Sequence, residues 1–138
     1  MDAASLVGTW RLVEASFDEQ PAFGESPRGM LIYTADGHVA VAISHAGRRA
    51  LSVADRVHAP VDERADAFAT FFAYSGRFSV SGHEVRHEVE VASVPNWVGT
   101  VLVRAVRVES DTLILCTPPT LVGGTTRVTR LVWKRVTQ

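Results

Sequence analysis

Two apolar runs, Gly29 to Ala35 and His38 to His45, meet at Asp36-Gly37. A chain that reverses in two residues commits both flanks to antiparallel sheet. The same arrangement recurs downstream. Arg77 to Val80 and Glu84 to Ser93 flank Ser81-Gly82-His83, and Thr100 to Val108 and Thr112 to Thr117 flank Glu109-Ser110-Asp111. Leu6 to Ser16 reads as a first strand, and Thr125 to Val136, entered from Gly123-Gly124, as a last one. Pro21, Gly24, Ser26 and Pro27 mark a loop over 18–28, and 47–60 is irregular and polar. Eight strands joined mostly by short turns must hide their edges. Closure into an up-and-down barrel does so completely, with a two-sheet sandwich as the alternative. At about eight strands the interior is either filled by side chains or holds one small ligand.

One segment breaks the strand pattern. Val61, Ala65, Phe68 and Phe72 recur at a helical period, Asp62, Glu63 and Asp66 suit the positive end of a helix dipole, and Gly76 can stop the helix. The spacing predicts one helix over about 61–74, inserted after the third strand. Phe68, Phe71 and Phe72 are expected to pack it onto the barrel.

The 138 residues suit a single domain over 1–138, and 46% hydrophobic with 21% charged residues is enough to build a core. A net charge of -1 provides no bulk field toward nucleic acid or anionic lipid. Lys134 is the only lysine, so arginine supplies the other cations, either through base composition or because guanidiniums grip an anion. Cys116 is alone, which excludes an internal disulfide and a multi-cysteine metal site. No phosphate loop, nucleophile elbow or zinc-helix motif occurs, so neither a metal nor a cofactor is expected. The N-terminus has no signal-peptide pattern and no apolar run approaches the roughly 20 residues of a membrane helix. The expectation is a cytoplasmic protein, monomeric or homodimeric, with no nucleic-acid or membrane partner.

The segments GTWRL at 8–12, LIYTADGHV at 31–39, FFAYSGRF at 71–78, HEVEVASVPNWVGT at 87–100, TPP at 117–119 and LVWKR at 131–135 resemble the lipocalin-like domain family in order and across nearly the whole chain. The resemblance implies an all-β, calycin-type barrel, and some members belong to natural-product gene clusters. It also implies that Trp10 closes the barrel floor under Arg135, with Arg130 as second choice, through a cation–π contact. The helix departs from true lipocalins, which place theirs after the last strand. Membership implies fold far more than reaction.

Site candidates come from strand faces. Along 84–93, Val85, His87, Val89 and Val91 share one side, while Arg86, Glu88 and Glu90 share the side that must meet water. His87 therefore points inward, either as a satisfied core group or as a lumenal acid/base or ligand donor. Tyr33 and Tyr74, each among apolar neighbours, either pack in the core or present a phenol to a pocket. Trp97, between Pro95-Asn96 and Gly99, plugs a barrel end or covers a ligand, and Asn96 turns onto local backbone or partners His87. Arg104 shares a face with Leu102, Val106 and Val108, and Arg107 one with Val101, Val103 and Ala105. The pattern does not say which arginine is internal, and two apolar faces suggest that something covers the outside. Ala40, Ala42 and Ser44 form a small-residue face that either leaves room for a ligand or lets the helix pack closely.

Three functions fit. The first is a module that binds a small, largely apolar, acidic or aromatic metabolite in the lumen, through His87, Arg104, Asn96, Trp97 and Tyr33. The second is a cofactor-free cyclase, isomerase or dehydratase on a polyketide-like substrate, with His87 as acid/base and Tyr33 and Tyr74 in support. The third is a solid interaction domain.

Overall fold

Hydrogen bonding runs from each long strand to the next in chain order and finally back to the first. In the computed structural model, which describes residues 1–137, the strands are β1 (Gly8–Phe17), β2 (Gln20–Pro21), β3 (Arg28–Tyr33), β4 (His38–Ser44), β5 (Phe71–Ser81), β6 (Glu84–Ala92), β7 (Val101–Glu109), β8 (Thr112–Cys116), β9 (Thr120–Val122), β10 (Thr125–Arg127) and β11 (Thr129–Arg135). Eight of them, β1, β3, β4, β5, β6, β7, β8 and β11, form an antiparallel barrel closed by β11 on β1. β2 lies against the end of β1, and β9 and β10 form a separate hairpin.

The alternation of β3 and β4 shows how sequence sets the wall. Leu31, Tyr33, Val39, Val41 and Ile43 are buried inside, whereas Met30, Ile32, Ala40 and Ala42 face out. The Asp36-Gly37 turn joins them with Gly37 at φ 91°, a conformation glycine adopts without strain.

One end of the barrel is sealed. Asp2 caps a short 3₁₀ turn, Ala3–Ser5, which folds Leu6 beneath the strands. The Trp10 ring Nε1–H donates to the Leu6 carbonyl at 2.9 Å, and the Arg135 guanidinium lies 4.2 Å from the ring centroid. Arg135 also donates to the carbonyls of Val7 at 2.8 Å and Ser5 at 3.0 Å. Arg130 instead reaches Glu14 on the outer surface. Trp10 and Trp133 are both fully buried at this end. Each indole removes on the order of 150–250 Å² from water, about 4–6 kcal/mol apiece as an upper bound.

Several boundaries differ from the sequence reading. Helix α1 is Val61–Ala69 rather than 61–74, because Phe71 to Tyr74 continue into β5, where aromatic residues fit a pleated wall and Tyr74 pairs with Val41 and Ala92. Thr70 rather than Gly76 ends the helix, its hydroxyl and backbone N–H both donating to the Asp66 carbonyl. No residue of α1 is buried and Phe68 is 55% exposed, so the expected aromatic packing of the helix onto the barrel does not occur. Nor does α1 cover β7; it leans on the start of β5. The last strand is interrupted at Val128, since Thr125–Arg127 pairs with β9 and only Thr129–Arg135 enters the barrel.

Val91 also departs from expectation. Ser75 pairs with Val91 but Gly76 pairs with Val89, so Glu90 is an extra residue in β6. The bulge reverses the alternation and leaves Val91 65% exposed. Gly76 makes this possible, because a Cβ there would collide with the Glu88 carbonyl. Gly76→Ala is therefore expected to lower unfolding free energy by on the order of 2–4 kcal/mol in urea titrations. Ser75→Ala, one residue away on the outer side, should change it by less than about 0.5 kcal/mol.

Candidate functional site

Tyr33, Tyr74 and His87 reach the interior from β3, β5 and β6. The Tyr33 hydroxyl lies 2.7 Å from His87 Nε2, and the Tyr74 hydroxyl lies 2.7 Å from His87 Nδ1. β3 and β6 are separated by β4 and β5, so the Tyr33 contact runs across the lumen rather than along the wall. His87 is 1% exposed, and both ring nitrogens are occupied.

Register resolves which arginine is internal. Arg104 sits opposite the fully buried Val85, and His87 opposite Leu102, so Leu102, Arg104 and Val106 face inward. Arg107 is outside, paired with Glu109 at 3.0 Å. The Arg104 guanidinium approaches the Tyr74 hydroxyl and acts electrostatically on Tyr33, Tyr74 and His87 alike. Its well-formed hydrogen bond, 3.2 Å, goes only to the carbonyl of Val103. Among the described residues it has no carboxylate partner, since every salt bridge lies on the outer surface.

Burial, reinforced by the Arg104 charge, pushes His87 down to about 3. Burial holds Tyr33 well above the ordinary phenol range, with Tyr74 adding to the effect and Arg104 opposing it. Tyr74 is raised by burial and partly held back by Arg104. At neutral pH all three groups are uncharged. A neutral imidazole has one N–H and one lone pair, so one tyrosine must donate to it and the other must accept from it. The cation beside Tyr74 makes its hydroxyl the stronger donor. That favours Tyr74 O–H donating to Nδ1 and Nε2–H donating to the Tyr33 oxygen, leaving the Tyr33 proton outside the trio.

Above the trio, aromatic rings continue to the unsealed end. Trp97, in a 3₁₀ turn at Pro95–Trp97, meets Tyr74 edge-on at 5.8 Å and Phe72 at 5.5 Å. Phe72 meets Phe23 at 5.9 Å, and Phe23 meets Phe17 and His45 at 5.1 Å each. Below, Phe78 packs on Tyr33 at 4.6 Å. Phe17, Phe23, Phe72, Trp97, Leu102 and Arg104 are only half-buried although they face the interior, so that end admits solvent. Phe17, Phe23 and Phe72 had no lumenal role in the sequence reading. Phe23 lies in a loop and takes φ 62°, and no strand periodicity marks it. Asn96 is exposed on the rim and does not reach His87, whose partners are the two tyrosines.

The small-residue face of β4 is not covered by α1. Met30, Ile32, Ala40, Ala42, Ala73 and Val91 line an open apolar groove of about 500 Å³ on the outside of the barrel. Among the described residues no cluster of three or more His, Cys, Asp or Glu side chains could hold a metal ion, and no helix is long and apolar enough to cross a membrane.

The low His87 value has a sign. Below the ordinary value near 6.5 the unfolded chain takes up a proton that the folded chain refuses until about pH 3, so stability falls as pH falls. Between pH 7 and pH 5 the parent is expected to lose about 2 kcal/mol more unfolding free energy than His87→Gln, read from urea titrations at the two pH values.

Residues 7–136 match the lipocalin-like domain family. A curated relative is the 4'-hydroxy-3'-methoxypropiophenone carrier protein of Aspergillus oryzae, 37% identical over 101 residues, which cover 67% of this chain and 86% of that protein. With a closed eight-strand barrel and a family match over almost its whole length, the chain belongs to the lipocalin-like domain family.

Proposed function

We propose that this protein is a carrier, binding a small, largely apolar aromatic molecule in the barrel lumen from the end rimmed by Phe23, Phe72 and Trp97. The observation that carries the reading is the continuous run of aromatic rings from rim to centre, ending on Tyr33, His87, Tyr74 and Arg104. Apolar walls with a few convergent polar groups are what a site for such a ligand requires. The relative's named ligand is an aryl ketone bearing a phenol and a methoxy group, and it fits this division into ring-contacting and polar parts. Within this reading one barrel domain spans 1–138, the protein works in the cytoplasm of a cell making such aromatic compounds, and Asn96 stays outside the contact set.

The acid/base reading of His87 draws less support. An imidazole with both nitrogens engaged and ionising near pH 3 has no free lone pair with which to abstract a substrate proton at neutral pH. The trio instead serves as a rigid polar wall.

Titration with 4'-hydroxy-3'-methoxypropiophenone should quench tryptophan fluorescence saturably. Trp97→Phe should remove most of the quench while calorimetry still detects binding within about tenfold of the parent affinity, about 1.4 kcal/mol. Absence of saturable binding to this ketone and to a panel of one-ring aromatics would overturn the carrier reading.

A further inference from the structure

The lumen has an imbalance of charge and of hydrogen-bonding capacity. Arg104 brings a permanent cation and five N–H donors inside the barrel, and among the described residues no carboxylate faces it. The acids of the barrel strands, Glu14, Glu84, Glu88, Glu90 and Glu109, are all exposed on the outer wall. Around Arg104 the titratable groups are Tyr33 from β3, Tyr74 from β5 and His87 from β6, none of them an anion. From β8 and β11 the facing residues are Leu113, Leu115, Leu131 and Trp133. Arg135 is occupied by Trp10 and two carbonyls at the sealed end, and Arg127 stacks on Phe17 at the open end.

Acceptors are scarce as well. Among the described residues Trp133 Nε1–H is buried with no acceptor, and Arg104 makes its one well-formed bond to the carbonyl of Val103. A half-buried cation among apolar and neutral aromatic groups has lost part of its hydration and gains from an anion brought beside it. The lumen is therefore complementary to negative charge on an otherwise apolar molecule.

We propose that the barrel takes its aromatic ligand in ionised form, with an oxyanion on Arg104, and so selects acidic phenols whose charge is shared with a conjugated carbonyl or nitro group. The proposal rests on the lumenal reading above and names the ligand class within it. On binding, the phenol O–H bond breaks, its proton passes to bulk water, and the phenolate oxygen accepts N–H bonds from the guanidinium. Nothing is oxidised or reduced. Charge-assisted bonds of this kind are roughly twice as strong as neutral ones. The ring itself lies against Phe72, Trp97 and Tyr74.

The test uses 4-nitrophenol, whose neutral and ionised forms absorb at different wavelengths, beside its methyl ether 4-nitroanisole, which cannot ionise. At a pH one unit below the free phenol's own ionisation, adding protein should raise the phenolate band and lower the apparent ionisation by about one unit or more, a tenfold preference for the anion. The ether should bind, seen by tryptophan quenching, at least about tenfold more weakly than the phenol above its ionisation. Arg104→Met should abolish the band shift, and Arg104→Lys should retain part of it. If both probes bind but the phenol stays neutral, or if the shift persists in Arg104→Met, the oxyanion proposal is overturned and the lumenal site stands. If neither probe binds, the lumenal reading falls, and this proposal with it. The comparison of phenol with ether in the parent protein decides the matter even if the Arg104 variants do not fold.

Discussion

The closed wall depends on β11 returning to β1. Seven residue pairs, from Trp10–Arg135 to Phe17–Thr129, join the ends of the chain and remove the two free edges that eight strands would otherwise expose. Trp10 and Arg135 meet as cross-strand partners at the first of these pairs, so the stacking of guanidinium on indole and the closing of the barrel are one event. Arg135 then fastens the N-terminal turn through two carbonyls, so one side chain ties together the chain's two ends and the floor.

Closure also creates the interior chemistry. Tyr33 and His87 are 54 positions apart and lie on strands that do not touch, and only a closed wall of this diameter brings them within 2.7 Å. Once inside, the imidazole cannot afford a proton, and the two phenols satisfy its nitrogens without adding charge. Arg104 is the exception among these neutral groups. Its charge is met by neither an acid nor full exposure among the described residues.

Much of the wall could be read from residue order. Asp36-Gly37 announces its hairpin, and the alternation Val85, His87, Val89 against Arg86, Glu88, Glu90 orients the imidazole correctly. The reading failed where a residue's place depends on its neighbour strand. Val91 turns outward because Glu90 bulges opposite Gly76, and nothing in the 84–93 segment itself encodes that. Phe71 and Phe72 satisfy a helical period and an aromatic strand equally well, and pairing with β4 decides between them. Arg104 and Arg107 sit on faces of similar hydrophobicity, so only registration against Val85 tells them apart. That both tyrosines meet one histidine is a property of the ring of strands, which no single segment contains.

The two ends of the barrel are held by forces of different kinds. The floor rests on buried indoles and the rejoined termini, whereas α1 buries no residue and is tied by exposed polar contacts: Arg48 to Thr70 and the Ala67 carbonyl, Arg49 to Asp62 and Asp66. Such contacts are individually weak and yield locally long before a closed wall does. That short segment can thus fray while the closed wall stays intact. Salt, which screens those arginine–aspartate ties but scarcely touches the floor, loosens α1 and leaves the barrel closed.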